Sequence, residues 1–171
     1  MLRIREATTN DCESINEIYN HYVITSTATF QIKEETLVER ESWLRSHSPS
    51  VKFPVLVCEE VIGASPGVTR VVGWGSISKF KEREAYQFSC EDSIYVSHDH
   101  THKGIGSMLL KELISRAKIA GFHSIIAGIE ASQSPSLSLH SKFGFQQVAR
   151  LKEIGQKFDK WLDVCYLQLM L

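Results

Sequence analysis

Ile94-Tyr95-Val96-Ser97-His98-Asp99-His100-Thr101-His102-Lys103-Gly104-Ile105-Gly106-Ser107-Met108-Leu109-Leu110 reads as a strand, a short loop, a Gly-x-Gly step and the opening of an amphipathic helix. The first N–H groups of a helix have no partner within it, and the helix dipole favours an anion at that end. Gly104 and Gly106 allow a pyrophosphate to approach the backbone closely, and Lys103 adds positive charge at the rim. Two better-known phosphate motifs do not fit. A dinucleotide fingerprint calls for a third small residue where the chain has Leu109, and a P-loop calls for Gly-Lys-Ser/Thr. Spacing alone leaves a ligand-free, glycine-rich helix start as the alternative.

Upstream of the loop, Gln87 to Val96 alternates as a strand. Phe88, Cys90, Ile94 and Val96 share one face, and Ser89, Glu91, Ser93 and Tyr95 share the other. Downstream, Gly104 to Ala120 carries Leu109, Leu110, Leu113, Ala117 and Ala120 at helical period, with Gly121 as its stop. His123 to Ile129 follows as a buried strand. Ser134-Pro135 then looks like an N-cap with proline at the first helical position, opening a helix to Lys142. Phe145 to Arg150 and Val164 to Met170 are the last strands.

Towards the N-terminus, Leu2 to Glu6 alternates as a half-buried strand. Thr8 with Asp11 forms a capping box for a helix whose stripe is Cys12, Ile15, Ile18, Tyr19 and Tyr22. A weaker helix spans Glu35 to His47. Phe53 to Glu60 and Arg70 to Ser78 read as a hairpin around the turn signal Gly63-Ala64-Ser65-Pro66-Gly67. The order β-α-α-β-β-β-α-β-α-β-β predicts an α+β protein, a mixed α/β sandwich around one sheet.

The 171 residues fit one domain, 1–171, with no repeat, charge block or long linker. Nineteen Lys and Arg against twenty Asp and Glu give a net charge of −1, which excludes a basic nucleic-acid binder and an acidic tail. The opening Met1-Leu2-Arg3-Ile4-Arg5-Glu6 lacks the apolar run of a secretory signal, and no stretch approaches a membrane span. Cys12, Cys58, Cys90 and Cys165 show neither zinc nor CxxC spacing, so buried, reduced thiols in a cytoplasmic protein are expected. His98, His100 and His102 alternate but have no carboxylate or cysteine partner at ligand spacing. They are read as solvent-exposed loop histidines, with no metal expected.

The strand–loop–GxG–helix resembles the acetyl-coenzyme A (acetyl-CoA) pyrophosphate motif of the GNAT superfamily of N-acetyltransferases. The likeness spans nearly the whole chain. Within the superfamily the chain is similar to the phosphinothricin and methionine sulfoximine N-acetyltransferases. The matching stretches are Ile18-Tyr19-Asn20-His21-Tyr22, Ser26-Thr27-Ala28-Thr29-Phe30, Glu91-Asp92-Ser93-Ile94-Tyr95-Val96, Ile126-Ala127-Gly128-Ile129, Leu139-His140-Ser141-Lys142-Phe143-Gly144-Phe145 and Gly155-Gln156-Lys157-Phe158-Asp159-Lys160-Trp161-Leu162-Asp163-Val164. Thr101 stands where the superfamily usually has Gln or Arg, and Gln133 where the subfamily often has Asn.

This resemblance implies a mostly antiparallel central sheet flanked by helices, with acetyl-CoA as co-substrate. It implies acetyl transfer to the α-amine of a glutamate-like amino acid, with no nucleic-acid or membrane partner, in a homodimer. It assigns Ile94, Tyr95, Val96, Thr101, His102, Lys103, Gly104, Ile105, Gly106, Ser107, Gln133 and Ser136 to the coenzyme. Acyl transfer to an amine needs a base for the ammonium and tolerance of the leaving thiolate. Glu91 and His140 match the family's acid–base positions. Phe30, Lys81, Arg83, Tyr86 and Trp161 match positions that shape the acceptor pocket. Core packing is the alternative for Trp161, and a solvated connecting loop the alternative for the 79–86 segment. Another small primary amine or a protein N-terminus is the runner-up acceptor, and a non-catalytic acyl-CoA sensor the reading from a different class.

Overall fold

A computed structural model of the chain describes residues 1–47, 52–62 and 68–171. Seven strands form one sheet in the order β1 (Leu2–Glu6), β2 (Val55–Ile62), β3 (Val68–Lys79), β4 (Ser89–Val96), β5 (Ser124–Glu130), β7 (Lys160–Met170), β6 (Gln146–Lys157). Neighbours are antiparallel except β4 and β5, which are parallel. Four α-helices flank the sheet: α1 (Cys12–Thr25), α2 (Leu37–Ser46), α3 (Ile105–Ile119) and α4 (Ser134–Lys142). The predicted order and the mixed α/β class are therefore observed. None of these helices, among the described residues, is long and apolar enough to cross a membrane.

Strand β2 shows why the two helical layers sit where they do. Leu56 and Cys58 pack into one core with Leu109, Leu110, Leu113 and Ala117 of α3. Val55 and Val57 pack into a second core with Ile15 and Ile18 of α1 and Leu44 of α2. Successive strand residues face opposite sides, so Val55–Cys58, the stretch of β2 covered on both faces by these cores, is apolar throughout. The capping box at Thr8 and Asp11 is formed, though it opens a 3₁₀ turn, Thr9–Asp11, that leads into α1. Helix α2 starts after its own box at Thr36 and Glu39. Its stripe is weak because its inward face carries Arg40, whose guanidinium lies over the rings of Tyr19, Trp43 and Trp74 at 4.6, 4.6 and 5.3 Å.

Two expectations change. Ser134 lies inside α4, whose N-cap is Gln133. Strands β6 and β7 run well beyond the predicted spans, because they join through a two-residue turn in which Phe158 and Asp159 both have positive φ. Phe-Asp lacks the Asn-Gly chemistry that announces such a turn. The turn signal at residues 63–67 lies outside the described residues, although β2 and β3 do pair as a hairpin. All four cysteines are buried and unpaired.

The functionally important feature is where the sheet opens. Strands β4 and β5 pair only at Ser89↔Ser124, Cys90↔Ile125 and Glu91↔Ile126. Beyond that point β4 stays with β3 to Val96, and β5 stays with β7 to Glu130. The two parallel strands therefore part, and their facing edges carry backbone groups without strand partners.

Candidate active site

The gap between the parted strands continues into a cleft of about 480 Å³, closed by the loop before α3 and by the start of α4. His102 and Gly104 take left-handed φ of +61° and +80°, which turns the chain sharply into α3. The first intrahelical bond there runs from Met108 N–H to the Gly104 carbonyl at 3.1 Å. The N–H groups of Ile105, Gly106 and Ser107 precede it and remain available to a ligand. A methyl group placed on Gly106 would lie 3.1 Å from Leu139 of α4, so this glycine also lets the two helices close together.

Eleven of the twelve residues assigned to the coenzyme line this cleft. They are Ile94, Tyr95 and Val96 of β4; Thr101, His102, Gly104, Ile105, Gly106 and Ser107 of the loop and α3; and Gln133 and Ser136 at the α4 start. Lys103 is exposed outside the lining. Free helix-start amides, a glycine in the first turn and unpaired strand edges along an elongated gap suit a pyrophosphate carrying an amide-containing arm. The histidine expectation needs correction at one position. His98 and His102 are exposed, but His100 is buried, with Nε2 3.2 Å from Glu60 Oε2. No group of three or more His, Cys, Asp or Glu arranged to hold a metal occurs among the described residues.

Glu91 stands at the last β4–β5 pair, where the strands begin to part. A methyl group on Gly128 would lie 3.1 Å from Glu91 Oε1 and 3.5 Å from the Tyr166 ring, so glycine makes room there for the carboxylate. Gly128 lines the cleft, with Glu91 immediately behind it. Burial, followed by the charge of Asp92, pushes Glu91 up from 4.5 to about 7.

His140 lines the cleft from α4 and is buried. Its Nδ1 is 2.8 Å from the Ser136 carbonyl and its Nε2 3.0 Å from Asp92 Oδ2, and the Phe145 ring meets it edge-on at 5.0 Å. Burial alone would push His140 down. The hydrogen bond to Asp92 and the charge of that residue more than offset it, so its pKa is raised. Sequence reading missed Asp92. The residue shares the parity of Cys90 and Ile94, and an acid set into an apolar face was the available signal.

The acceptor residues are placed differently. Phe30 leans over Gly155, where an added methyl group would come within 2.3 Å of its ring. The Ser26–Phe30 run is pinned by buried Lys157, whose Nζ donates to the carbonyls of Ser26 at 2.7 Å and Thr29 at 2.8 Å. Lys157 was not singled out from sequence, nor was Glu130, which accepts from Thr27 Oγ1, Ser132 N–H and the Gln133 amide and so ties the α1–α2 connection to the α4 start. Lys81, Arg83 and Tyr86 are exposed between β3 and β4, with Lys81 Nζ over the Phe80 and Tyr86 rings at 5.2 and 5.5 Å. Trp161 is 62% exposed, which removes core packing as its role. Neither Phe30 nor any of these four lines the cleft.

A family model described as an acetyltransferase (GNAT) domain matches residues 4–166. The chain is 36% identical over 170 residues to an L-amino acid N-acyltransferase of Escherichia coli (strain K12), covering 99% of this chain and 94% of that protein. It is 35% identical over 170 residues to an L-methionine sulfoximine/L-methionine sulfone acetyltransferase of Salmonella typhimurium, covering 99% and 95%. A solved phosphinothricin acetyltransferase from Sinorhizobium meliloti, in complex with acetyl-CoA, superposes with a TM-score of 0.91 at 33% identity, covering 99% of this chain and 88% of that one.

Proposed function

The chain belongs to the GNAT acetyltransferase family and is an N-acetyltransferase of that type; from this premise we propose that it moves the acetyl group of acetyl-CoA to the α-amine of a small, glutamate-like amino acid. The observation that carries the reading is that Glu91 stands at the point where β4 and β5 part while His140, 3.0 Å from Asp92, lines the cleft from α4. The names of the relatives support an amino-acid acceptor. The exposed cations Lys81 and Arg83 beside the β4 start support one with a second anionic or strongly polar group.

When bound, acetyl-CoA supplies the activated acetyl group as a thioester. The amides opening α3 hold the pyrophosphate, and the β4 edge at Ile94–Val96 with Gln133 and Ser136 holds the arm that follows. Glu91 takes a proton from the acceptor ammonium, directly or through one water beyond Gly128, so that a free amine attacks. As the new N–C bond forms and the C–S bond breaks, His140 gives a proton to the departing thiolate. General acid–base groups placed this way contribute on the order of 10²–10⁴-fold. Residues 1–171 act as one acetyltransferase domain in the cytoplasm. The active species is a homodimer in which exposed Phe158 and Trp161 are covered.

Release of free coenzyme A tests the acceptor class, with phosphinothricin, methionine sulfoximine, spermidine, an N-terminal peptide and the common amino acids as candidates. The two glutamate analogues should turn over fastest. Faster turnover of spermidine or the peptide overturns the assignment.

A further inference from the structure

Both ring nitrogens of His140 are engaged, and their partners fix what each can be. A carbonyl oxygen only accepts, so Nδ1, 2.8 Å from Ser136 O, must carry a proton. Nε2, 3.0 Å from Asp92 Oδ2, then needs a second proton if Asp92 is a carboxylate. The two groups are shielded from water, with side-chain exposures of 5% and 1%. Asp92 Oδ1 is buried without a hydrogen-bond partner among the described residues, so Oδ2 is the oxygen committed to the ring.

From this geometry we infer that Asp92 is a positioning residue for the acetyl transfer: it holds His140 in the doubly protonated form and confines the imidazole to the acid's part, leaving Glu91 as the base. This rests on the acid–base reading proposed above and deepens it. The division of labour follows from the strand. Glu91 and Asp92 are adjacent on β4, so their side chains leave opposite faces, one towards Gly128 and Tyr166, the other towards α4. Two carboxylates one residue apart thus end in different surroundings, one with a cation and one without. Among the described residues, Asp92 on β4 and the Ser136 carbonyl on α4 are the polar groups in contact with the ring. Burial first, and then Asp92, raises Glu91. The Asp92 charge therefore favours the protonated acid and adds to the upward shift of the base at the same time.

The test is Asp92→Asn, which preserves shape and can donate to Nε2 but carries no charge. Nitrogen-15 spectra of histidine-labelled protein without ligand, followed against pH, should show His140 keeping its second proton above the ordinary histidine value of 6.5 in the wild type, and losing it at lower pH, with a proton left on Nδ1, in the variant. A wild-type His140 that gives up its second proton at or below the ordinary histidine value overturns the inference whether or not the variant folds. In turnover, loss of the negative charge lowers both groups, so both limbs of the kcat profile should move towards acid, the basic limb by about one unit or more. The KM for acetyl-CoA should stay within about twofold of wild type, since the helix-start amides are untouched. A profile that loses height with its limbs in place makes Asp92 a packing residue and overturns the assignment. His140→Gln separates the two readings. If that variant keeps the wild-type kcat and basic limb while the wild-type spectrum shows a doubly protonated ring, the acid role falls and the hold of Asp92 on the ring stands.

Discussion

Along one wall of the cleft, residues 94–107 follow each other almost without interruption, and their backbone carries free strand-edge and helix-start groups. The residues expected to meet the acceptor are scattered over Phe30, the 80–86 loop and the β6–β7 hairpin, outside that lining, and their side chains stand in or near solvent. A wall of consecutive backbone is set by local geometry: a strand end, a left-handed glycine and a helix start. A set of distant side chains depends on packing across the whole sheet. Changes at the first should alter coenzyme handling sharply, and changes at the second should alter acceptor handling more gently. The acid–base pair should show the largest response.

Glu91→Gln keeps the shape of the side chain but cannot accept a proton. We expect kcat to fall by about 10²–10⁴-fold with little change in acetyl-CoA affinity measured by calorimetry. A near-wild-type kcat across pH 6 to 9 would remove Glu91 from the chemistry. The same variant should be more stable than wild type at pH 8. Glu91 rises from 4.5 to about 7 in the folded protein, so the folded state binds this proton more tightly than the unfolded state does. Stability from the group is therefore present at low pH and is lost as pH rises through that interval. Ionising it in the folded protein costs up to roughly 3 kcal/mol, a cost the neutral amide does not carry. Denaturant midpoints should separate the two proteins at pH 8 and converge near pH 4.5.

How far the site was legible in the sequence follows the same division. The coenzyme wall could be read because an anion site at a helix start is written in consecutive residues, and eleven of its twelve assignments line the cleft. Lys103 was the exception, since a lysine beside a loop can point either way. Glu91 and His140 were singled out by resemblance, but Asp92, whose Oδ2 lies 3.0 Å from His140 Nε2, was passed over. Its pairing spans 48 residues, and only the parity of β4 placed an acid on the apolar face. Lys157 was missed for a related reason. Its partners are carbonyls of a segment more than a hundred residues away, and a lysine near a hairpin turn reads as solvated. The order of elements along the chain was legible in the alternation of helical and strand periods, whereas the order of strands in the sheet and the parting of β4 and β5 have no local signal.

At the coenzyme wall, Gly106→Val should raise the KM for acetyl-CoA roughly tenfold or more, about 1.4 kcal/mol for each factor of ten. The added carbons meet Leu139 at the distance where even a methyl group is tight, and they occupy the space beside the helix-start amides. Acceptor KM and melting temperature separate the two consequences. An unchanged acetyl-CoA KM would take the phosphate assignment away from this loop.

The gentlest effect should come from the acceptor residues, at Arg83. Its side chain is exposed in the loop between β3 and β4, close in sequence to Lys81 and the edge-to-face pair Phe80 and Tyr86. A charge in water acts on an anionic acceptor through a high dielectric, and exposed ion pairs contribute only about 0.2–1 kcal/mol. Arg83→Ala should therefore raise the acceptor KM by roughly 1.5–5-fold, leaving kcat and the acetyl-CoA KM unchanged. Because ions screen such a charge over about 10 Å at 0.1 M salt, the difference from wild type should shrink towards nothing near 1 M. A loss of tenfold or more that persisted in high salt would mean the loop folds down and Arg83 grips the acceptor by a buried, two-pronged contact. The acceptor residues would then resemble the coenzyme wall in the complex more than they do in the free protein. No change at either salt concentration would instead place the acceptor away from this loop, and Phe30, held against Gly155 at the end of the Lys157-pinned segment, would be the next position to test.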